Sequence, residues 1–159
     1  MDHTPRIPRF VWRMMSYLNR GMLSRYGPKS KAASRVLILT TMGRKSGQPR
    51  STPLQYEEVD GIYYVASARG TYADWYRNLK ACPHVKVRVG ESQFSTVAEL
   101  ITNPVQIADF LEIRLRRHPY FMRVMLRIEG LPRKHTRSDL EKFSDRLAIV
   151  TLQKPNLSA

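Results

Sequence analysis

Two tight hairpin turns in the middle of the chain constrain its fold more than any other feature, because a two-residue turn joins only antiparallel strands. Asp60-Gly61 separates two β-rich segments, Ser51 to Val59 and Ile62 to Ser67. Gly90-Glu91 separates two more, and in the first of these valines alternate with polar residues. Such alternation is typical of a half-buried strand. The middle of the chain is therefore predicted to form an antiparallel sheet.

The same signals predict about six strands, which cover residues 35–41, 51–59, 62–67, 84–89, 93–101 and 147–152. Helices are predicted over residues 7–26, 73–81, 103–118 and 120–129, with one more opened by a capping box at Ser138. The pattern is mainly β or α+β: an antiparallel sheet or barrel with appended helices. We expect a single domain over 1–159, with a helix and connector (1–34), strands (35–101), then helices and a closing strand (102–159).

The predicted N-terminal helix has apolar side chains at helical spacing, with Arg9, Arg13 and Arg20 on the opposite face. Its methionine-rich stripe is expected to pack on the main core, which is the commoner use of this pattern. The alternative is a helix that lies on an anionic membrane, so that the protein associates peripherally with it.

The chain is strongly basic, and the charge is concentrated near its start. It has 27 Lys and Arg against 13 Asp and Glu in 159 residues, a net charge of +14. The first fifty residues hold eleven of these cations and one acid, Asp2. The expected partner is therefore anionic: a nucleic acid, a membrane surface or a polyanionic ligand.

Several common catalytic arrangements are absent from the sequence. The single cysteine, Cys82, excludes an internal disulfide, and the four histidines are too dispersed to predict a metal site. Gly-x-Ser-x-Gly, Walker A and dinucleotide-binding glycine motifs are missing. Glu57 and Glu58 flank a hairpin turn and are predicted to be a solvated pair. Without a signal region or a long apolar run, the expected location is the cytoplasm.

The segment 43–50 combines two glycines with three cations and a hydroxyl, which are Arg44, Lys45, Arg50 and Ser46. Lysine supplies a point charge, arginine supplies a planar set of N–H donors, and the turn supplies backbone amide donors. The segment is therefore suited to bind an anion. The alternative is an exposed basic hairpin tip. Pro53 then predicts an edge or a bulge, along which a flat ligand could lie. Core packing is the favoured account of Trp75 taken alone.

Two segments together resemble a known family. Thr40–Leu54 (TTMGRKSGQPRSTPL) and Val65–Pro83 (VASARGTYADWYRNLKACP) resemble two signature blocks of the deazaflavin-dependent nitroreductase family. His84–Gly90 is similar to the next strand of that family. The resemblance covers residues 35–90 closely, and the two blocks at this spacing are far more specific than either alone.

This resemblance implies a split β-barrel, shared with flavin-binding pyridoxamine-phosphate-oxidase-like proteins, and binding of the anionic deazaflavin coenzyme F420. The basic loop would hold the phosphate and γ-glutamate tail, while strands and a helix amide would lie at the ring. The implied residues are Arg44, Lys45, Ser46, Gly47, Thr52, Pro53, Leu54, Gln55, Ala66, Ser67 and Asn78. The turn chemistry adds Arg50, and the aromatic surface adds Trp75.

The chain also departs from that family. Ala68-Arg69-Gly70 stands where many members have Lys-Gly-Gly, so Arg69 is the predicted replacement for the lysine. Gln55 stands where some members have an aromatic residue. Tyr120 and Phe121 are the nearest counterparts of the tyrosines that those members carry near their C-termini.

The activity implied is hydride transfer from reduced F420 to a small acceptor such as a quinone, an activated enone or a nitro compound. Ser67, Tyr72 and Tyr120 are candidate proton donors, and water is another. Two alternatives stay open: a split barrel that binds FMN, and a basic module that binds nucleic acid. The second would use the N-terminal helix and Arg114, Arg116, Arg117, Arg123 and Arg127, although no specific nucleic-acid motif is present. A homodimer is also kept open.

Overall fold

The computed structural model describes residues 36–67 and 69–155. The described residues form seven strands: β1 (Val36–Met42), β2 (Pro49–Val59), β3 (Ile62–Ser67), β4 (His84–Val89), β5 (Ser92–Val97), β6 (Glu99–Ile101) and β7 (Ala148–Gln153). Their helices are α1 (Asp74–Ala81), α2 (Pro104–Arg117), α3 (Pro119–Ile128) and α4 (Arg137–Phe143), with 3₁₀ turns at Gly70–Tyr72 and Ser144–Arg146. The predicted helix over 7–26 and its connector lie outside the described residues.

The strands form one antiparallel sheet in the order β5-β4-β1-β2-β3-β7-β6. β5 and β6 lie at opposite edges of this order, yet a single residue, Ala98, joins them in the chain. Consecutive Cα atoms are only about 3.8 Å apart, so the sheet must curl until its two edges approach each other. The sheet is therefore a barrel.

The barrel is open on one side, because β2 and β3 separate along part of their length. Their pairing ends at Tyr56 and Val65. Beyond this pair β2 remains paired with β1, and β3 remains paired with β7 through Ser67. Gln55 and Ala66, the next residues on each strand, therefore lie on the two sides of an opening. The fold is a split β-barrel of the α+β class, as predicted.

Buried side chains form two clusters, one on each face of the sheet. Alternate strand residues fill the barrel interior together with Trp75, Tyr76 and Leu79 of α1. The second cluster lies between the outer face and α2–α4, and includes Phe110 and Leu126. Trp75 is only 7% exposed, in agreement with core packing as its main role.

Two predicted elements need correction. The strand predicted over 93–101 is two strands, β5 and β6, because the chain passes at Ala98 from one edge of the sheet to the other. The N-cap of α4 is Thr136 and not Ser138: the Thr136 hydroxyl accepts from the Asp139 N–H, and the Asp139 carboxylate accepts from the Thr136 N–H. Thr136 and Asp139 have the same spacing as the predicted pair Ser138 and Glu141, but the helix already begins at Arg137, so Ser138 lies inside it and cannot be its cap.

Candidate functional site

The basic turn joins β1 to β2 and is closed by backbone hydrogen bonds. Gly43 N–H donates to the Gln48 carbonyl at 2.9 Å, and Gly47 N–H donates to the Gly43 carbonyl at 2.8 Å. Gly47 has a φ of +64°, a conformation that glycine adopts without steric cost. With the first two residues of β2, the turn forms the basic segment 43–50, whose exposed side chains include Lys45, Ser46 and Arg50. This segment, which is called the basic turn below, thus presents two cations and a hydroxyl to solvent.

Arg44, in contrast, is tied to α1. Its guanidinium donates to Asp74 Oδ1 at 3.0 Å and to Asn78 Oδ1 at 3.0 Å, and its backbone N–H donates to the same Asn78 oxygen at 3.2 Å. Asn78 is 5% exposed, and its Nδ2 donates to Thr41 Oγ1 at 3.1 Å. Oxygen and nitrogen of the Asn78 amide are both engaged inside the protein. Arg44 and Asn78 therefore fix the shape of the turn.

Pro53 lies on the open edge of β2. A two-residue turn makes Val59 and Ile62 a hydrogen-bonded pair, and backbone groups alternate in direction along a strand, so Pro53 faces the same side as Val59. Over residues 49–55 the described strands pair with β2 only on the other side, through β1. Proline suits this position because it has no N–H to leave unpaired. The prediction of an edge at Pro53 is confirmed.

The opposite side of the opening is the end of β3. Ala66 is half-buried there, and Ser67 is 8% exposed. The Ser67 hydroxyl accepts a hydrogen bond from the Arg69 N–H at 3.2 Å. The strand residues implied by the family resemblance, Thr52–Gln55 and Ala66–Ser67, thus occupy the two edges of one opening, and the basic turn immediately precedes the first of them.

The three candidate proton donors have different surroundings. Ser67 is buried at the end of β3, as above. Tyr72 lies in the first 3₁₀ turn, with the Arg77 guanidinium 5.3 Å from its ring centroid. Tyr120 is 89% exposed at the start of α3. Of the three, only Ser67 belongs to a strand that borders the opening.

A cavity of about 120 Å³ lies between the opening and the helices. Gln55 and Ala66 line one side, while most of the rest is apolar and includes Phe110, Leu111, Phe121, Met122 and Met125. Arg114 and Glu129 are its charged lining residues. Sequence reasoning did not identify this cavity. The sequence signal for the cavity was the spacing of Phe110, Leu111 and Arg114, which places these three residues on one face of α2.

Glu57 is buried, and the prediction of a solvated pair is wrong for it. Its side chain is 10% exposed and lies 2.7 Å from His118 Nε2, 3.3 Å from Arg117 Nη1 and 3.5 Å from Arg114 Nε. Glu57 and Glu58 alternate on β2, so only Glu57 faces the side that α2 covers. Burial lowers the pKa of Arg114, and the Glu57 charge opposes this shift.

A larger groove, of about 560 Å³, lies beside the base of the basic turn. β1 contributes Thr40, Thr41 and Met42 to it, and β4 contributes His84 and Lys86. Lys86 is exposed and adds a cation near the turn that sequence reasoning did not single out. It was missed because β4 is adjacent to β1 only in the folded sheet.

Two kinds of feature are absent from the described part of the chain. Residues 36–67 and 69–155 bring no three His, Cys, Asp or Glu side chains together as a metal ion would require. Within the same residues, no helix has the length and apolar character needed to cross a membrane.

Comparison with known proteins gives a family match. The family model described as F420H2-dependent quinone reductase matches residues 12–128. An F420H2-dependent quinone reductase of Mycobacterium tuberculosis is 35% identical over 100 residues, which are 61% of this chain and 64% of that protein. The chain thus matches slightly less than two thirds of this relative's length. These matches do not favour the FMN and nucleic-acid alternatives.

Solved structures share the fold. An F420-H2 dependent reductase (FDR-A) is 20% identical with a TM-score of 0.52, over 74% of this chain and 92% of that chain. A protein described as a domain-swapped dimer is 17% identical with a TM-score of 0.54, over 89% and 95% of the two chains. At these identities the similarity concerns architecture alone, and it agrees with the split barrel.

Proposed function

Because this chain belongs to the F420H2-dependent quinone reductase family, we propose that it transfers a hydride from reduced coenzyme F420 to a small acceptor. Quinones, activated enones and nitro compounds are the proposed acceptor classes. The observation that carries the proposal is the position of the exposed basic turn directly before the open edge of β2. One strand-turn-strand unit thereby offers cations for an anionic group and a backbone edge for a flat ring.

The anionic part of the coenzyme is assigned to the turn. Lys45, Ser46 and Arg50 are exposed there, and the donor set of ammonium, hydroxyl and guanidinium matches phosphate and carboxylate oxygens. The space at Gly47 is open, since a Cβ there would meet no atom within 4 Å apart from those of its chain neighbours. Arg44 acts as a positioning residue in this assignment, because Asp74 and Asn78 already hold its guanidinium. Arg69 and Lys86 are proposed to add positive charge nearby.

The ring is assigned to the opening of the barrel. Thr52, Pro53, Leu54 and Gln55 would border one side of it, with Ala66 and Ser67 on the other. Trp75 belongs to the barrel-interior cluster against which Leu54 packs, and it is proposed to support this edge from inside. When bound, the coenzyme supplies the hydride, so the chain need only bind, orient and exclude water.

Ser67 is the proposed hydrogen-bond donor at the ring. Its oxygen accepts from the Arg69 N–H at 3.2 Å, which leaves its own hydrogen to donate in another direction. Tyr72 and Tyr120 are more exposed, at 38% and 89%. We assign them a weaker part in proton supply, because solvent competes with exposed hydroxyls.

A fluorescence titration with F420 tests the assignment. Lys45→Ala and Arg50→Ala are each expected to weaken binding about tenfold, the scale of one charge-assisted hydrogen bond. Lys142→Ala, at an exposed cation of α4, is the matched control and should bind normally. Binding should also weaken as salt is raised, because the exposed turn is screened. Unchanged affinity in both turn variants would show that the turn does not hold the coenzyme.

Assembly and location are secondary proposals. The structural neighbour described as a domain-swapped dimer suggests that this chain also forms a homodimer. Light scattering of the purified full chain measures this directly. A cytoplasmic location and a peripheral membrane contact through residues 7–26 are proposed from the charge and periodicity of the sequence. Sedimentation with anionic vesicles separates a membrane contact from a freely soluble protein.

A further inference from the structure

We propose that the 120 Å³ cavity behind the opening is the acceptor subsite, and that Arg114 determines its specificity. The ligand class is a flat, mainly apolar molecule of one ring that carries an oxygen acceptor, such as a carbonyl. This inference rests on the proposed function, because the subsite gains its role from a coenzyme ring in the opening.

The position of the cavity is the first argument. Gln55 and Ala66 lie on the two sides of the opening, and both also line the cavity. A molecule in the cavity therefore lies beside whatever occupies the opening. Hydride transfer needs such direct contact between donor and acceptor, because the reacting atoms must approach to about 3–3.5 Å.

The size and lining of the cavity are the second argument. A volume of about 120 Å³ is close to that of cavities known to hold one aromatic ring. Met122 and Met125 give it flexible, polarisable walls, which adapt to different flat ligands. Phe121, which is 44% exposed, provides an aromatic surface where the cavity meets solvent. These features favour planar acceptors and accommodate several of them.

The buried guanidinium of Arg114 is the third argument. Its side chain is 14% exposed, and its Nε lies 3.5 Å from Glu57 Oε1. Within the described residues this buried Nε has no hydrogen-bond partner. Glu57 also faces Arg117 and His118, so one carboxylate is shared by at least two positive charges. A buried cation that is incompletely paired is strongly stabilised by a ligand oxygen.

Glu57 and its partners also position Arg114. The carboxylate joins β2 to the end of α2, where Arg114 and Arg117 lie one turn apart. The guanidinium is thereby held at the wall of the cavity before any ligand arrives. An acceptor oxygen would meet a preorganised donor beside a mostly apolar lining, and hydrogen bonds are stronger in surroundings of low polarity.

Direct binding of tetramethyl-1,4-benzoquinone tests the inference without the coenzyme. All ring carbons of this probe are substituted, so the Cys82 thiol has no open ring position to attack. In protein labelled with ¹³C-methyl methionine, the Met122 and Met125 signals should shift on titration. Arg114→Leu should weaken probe binding about tenfold, on the scale of a hydrogen bond to a charged group. Arg116→Leu, at an exposed arginine of the same helix, should leave it unchanged.

Two further variants keep the test decisive. Arg114→Lys preserves the charge beside Glu57 and should retain part of the affinity, even if Arg114→Leu does not fold. Met125→Trp fills the cavity and should abolish the Met122 shift while leaving F420 affinity in the fluorescence titration intact. If the probe binds equally well to wild type, Arg114→Leu and Met125→Trp, the cavity is not the subsite.

The two proposals can fail separately. Normal F420 binding without any probe-induced shift at Met122 and Met125 overturns the acceptor subsite and leaves the proposed function standing. Conversely, Arg114-dependent probe binding in a protein that does not bind F420 supports the cavity as an aromatic-ligand site and contradicts the proposed function.

Discussion

Asn78 Oδ1 accepts two hydrogen bonds from Arg44, one from its backbone N–H at 3.2 Å and one from Nη1 at 3.0 Å. Asn78→Ala removes both and also the donor to Thr41. We expect the free energy of unfolding to fall by about 1–3 kcal/mol, because buried polar groups lose their partners. F420 affinity should fall with it, since the turn loses its anchor on α1. Chemical denaturation and the coenzyme titration measure the two effects.

Thr41→Val is the matched control for this variant. It removes the bond from Asn78 Nδ2, at 3.1 Å, and the long bond that Thr41 Oγ1 donates to the Arg50 carbonyl, at 3.5 Å. Both bonds from Arg44 to Asn78 stay in place. It should therefore cost less stability than Asn78→Ala and change F420 affinity little. Equal losses of affinity in the two variants would contradict the assignment of Asn78 as the anchor of the turn.

The strands and turns of the barrel were predictable because their signals are local. Asp60-Gly61 and the alternating valines of β4 fix two hairpins within a few residues of chain. The anchoring of Arg44 was not predictable in the same way. Arg44 and Asn78 are separated by 34 positions, and their contact depends on how α1 packs against β1. The family resemblance pointed to Asn78, but only the folded chain shows that it contacts Arg44.

Glu57→Gln tests the buried ion cluster between β2 and α2. Loss of the carboxylate leaves Arg114 buried without its opposite charge. Because breaking a buried pair on one side exposes the full desolvation penalty, we expect a loss of about 3–5 kcal/mol in unfolding free energy. Glu58→Gln, at the adjacent exposed side chain, should change stability little. A small effect in both variants would mean that water already reaches Arg114.

The same pair shows a limit of sequence reasoning. Glu57 and Glu58 are neighbours of identical chemistry, and a strand sends them to opposite faces. Which face is buried depends on where α2 packs, and α2 begins only at Pro104. The sequence around Glu57 and Glu58 therefore carries no signal that shows which of the two side chains is buried. The cavity beside Arg114 was missed for the same reason, since its lining comes from five elements that are separate in the sequence, β2, β3, α2, α3 and α4.

Thr136→Ala tests the corrected cap of α4. Its hydroxyl accepts from the Asp139 N–H at 3.3 Å, so its loss should cost about 0.5–2 kcal/mol in unfolding free energy. Ser138→Ala changes a residue inside the helix and should have little effect. Thermal unfolding followed by circular dichroism compares the two. A larger effect at Ser138 would restore the cap first predicted there.

The cap also predicts a pH dependence. Hydrogen bonds from the Thr136 backbone N–H and hydroxyl hold the pKa of Asp139 below its usual 3.8. Because the pKa of Asp139 is lower in the folded state than in the unfolded state, its ionised carboxylate stabilises the fold at any pH above the unfolded pKa. This stabilisation is lost as the pH falls through the pKa of the folded state. Asp139→Asn should therefore be less stable than wild type at pH 6, and the difference should shrink below pH 3.8. Acid titration monitored by circular dichroism gives the comparison, and a difference that persists unchanged at low pH would contradict it.

Gly70 and Gly90 separate conformational cost from steric cost. Both have positive φ, +53° and +58°. A Cβ at Gly70 would lie 2.6 Å from the Arg146 carbonyl oxygen, whereas one at Gly90 meets nothing within 4 Å. Gly90→Ala should cost about 1–2 kcal/mol for the left-handed backbone alone. Gly70→Ala should cost a further ~1–3 kcal/mol in unfolding free energy, because backbone must move to relieve the overlap. Equal losses of unfolding free energy in the two variants, measured by chemical denaturation, would show that the 3₁₀ turn at Ser144–Arg146 moves away easily. The close packing of this turn against Gly70 would then not depend on glycine.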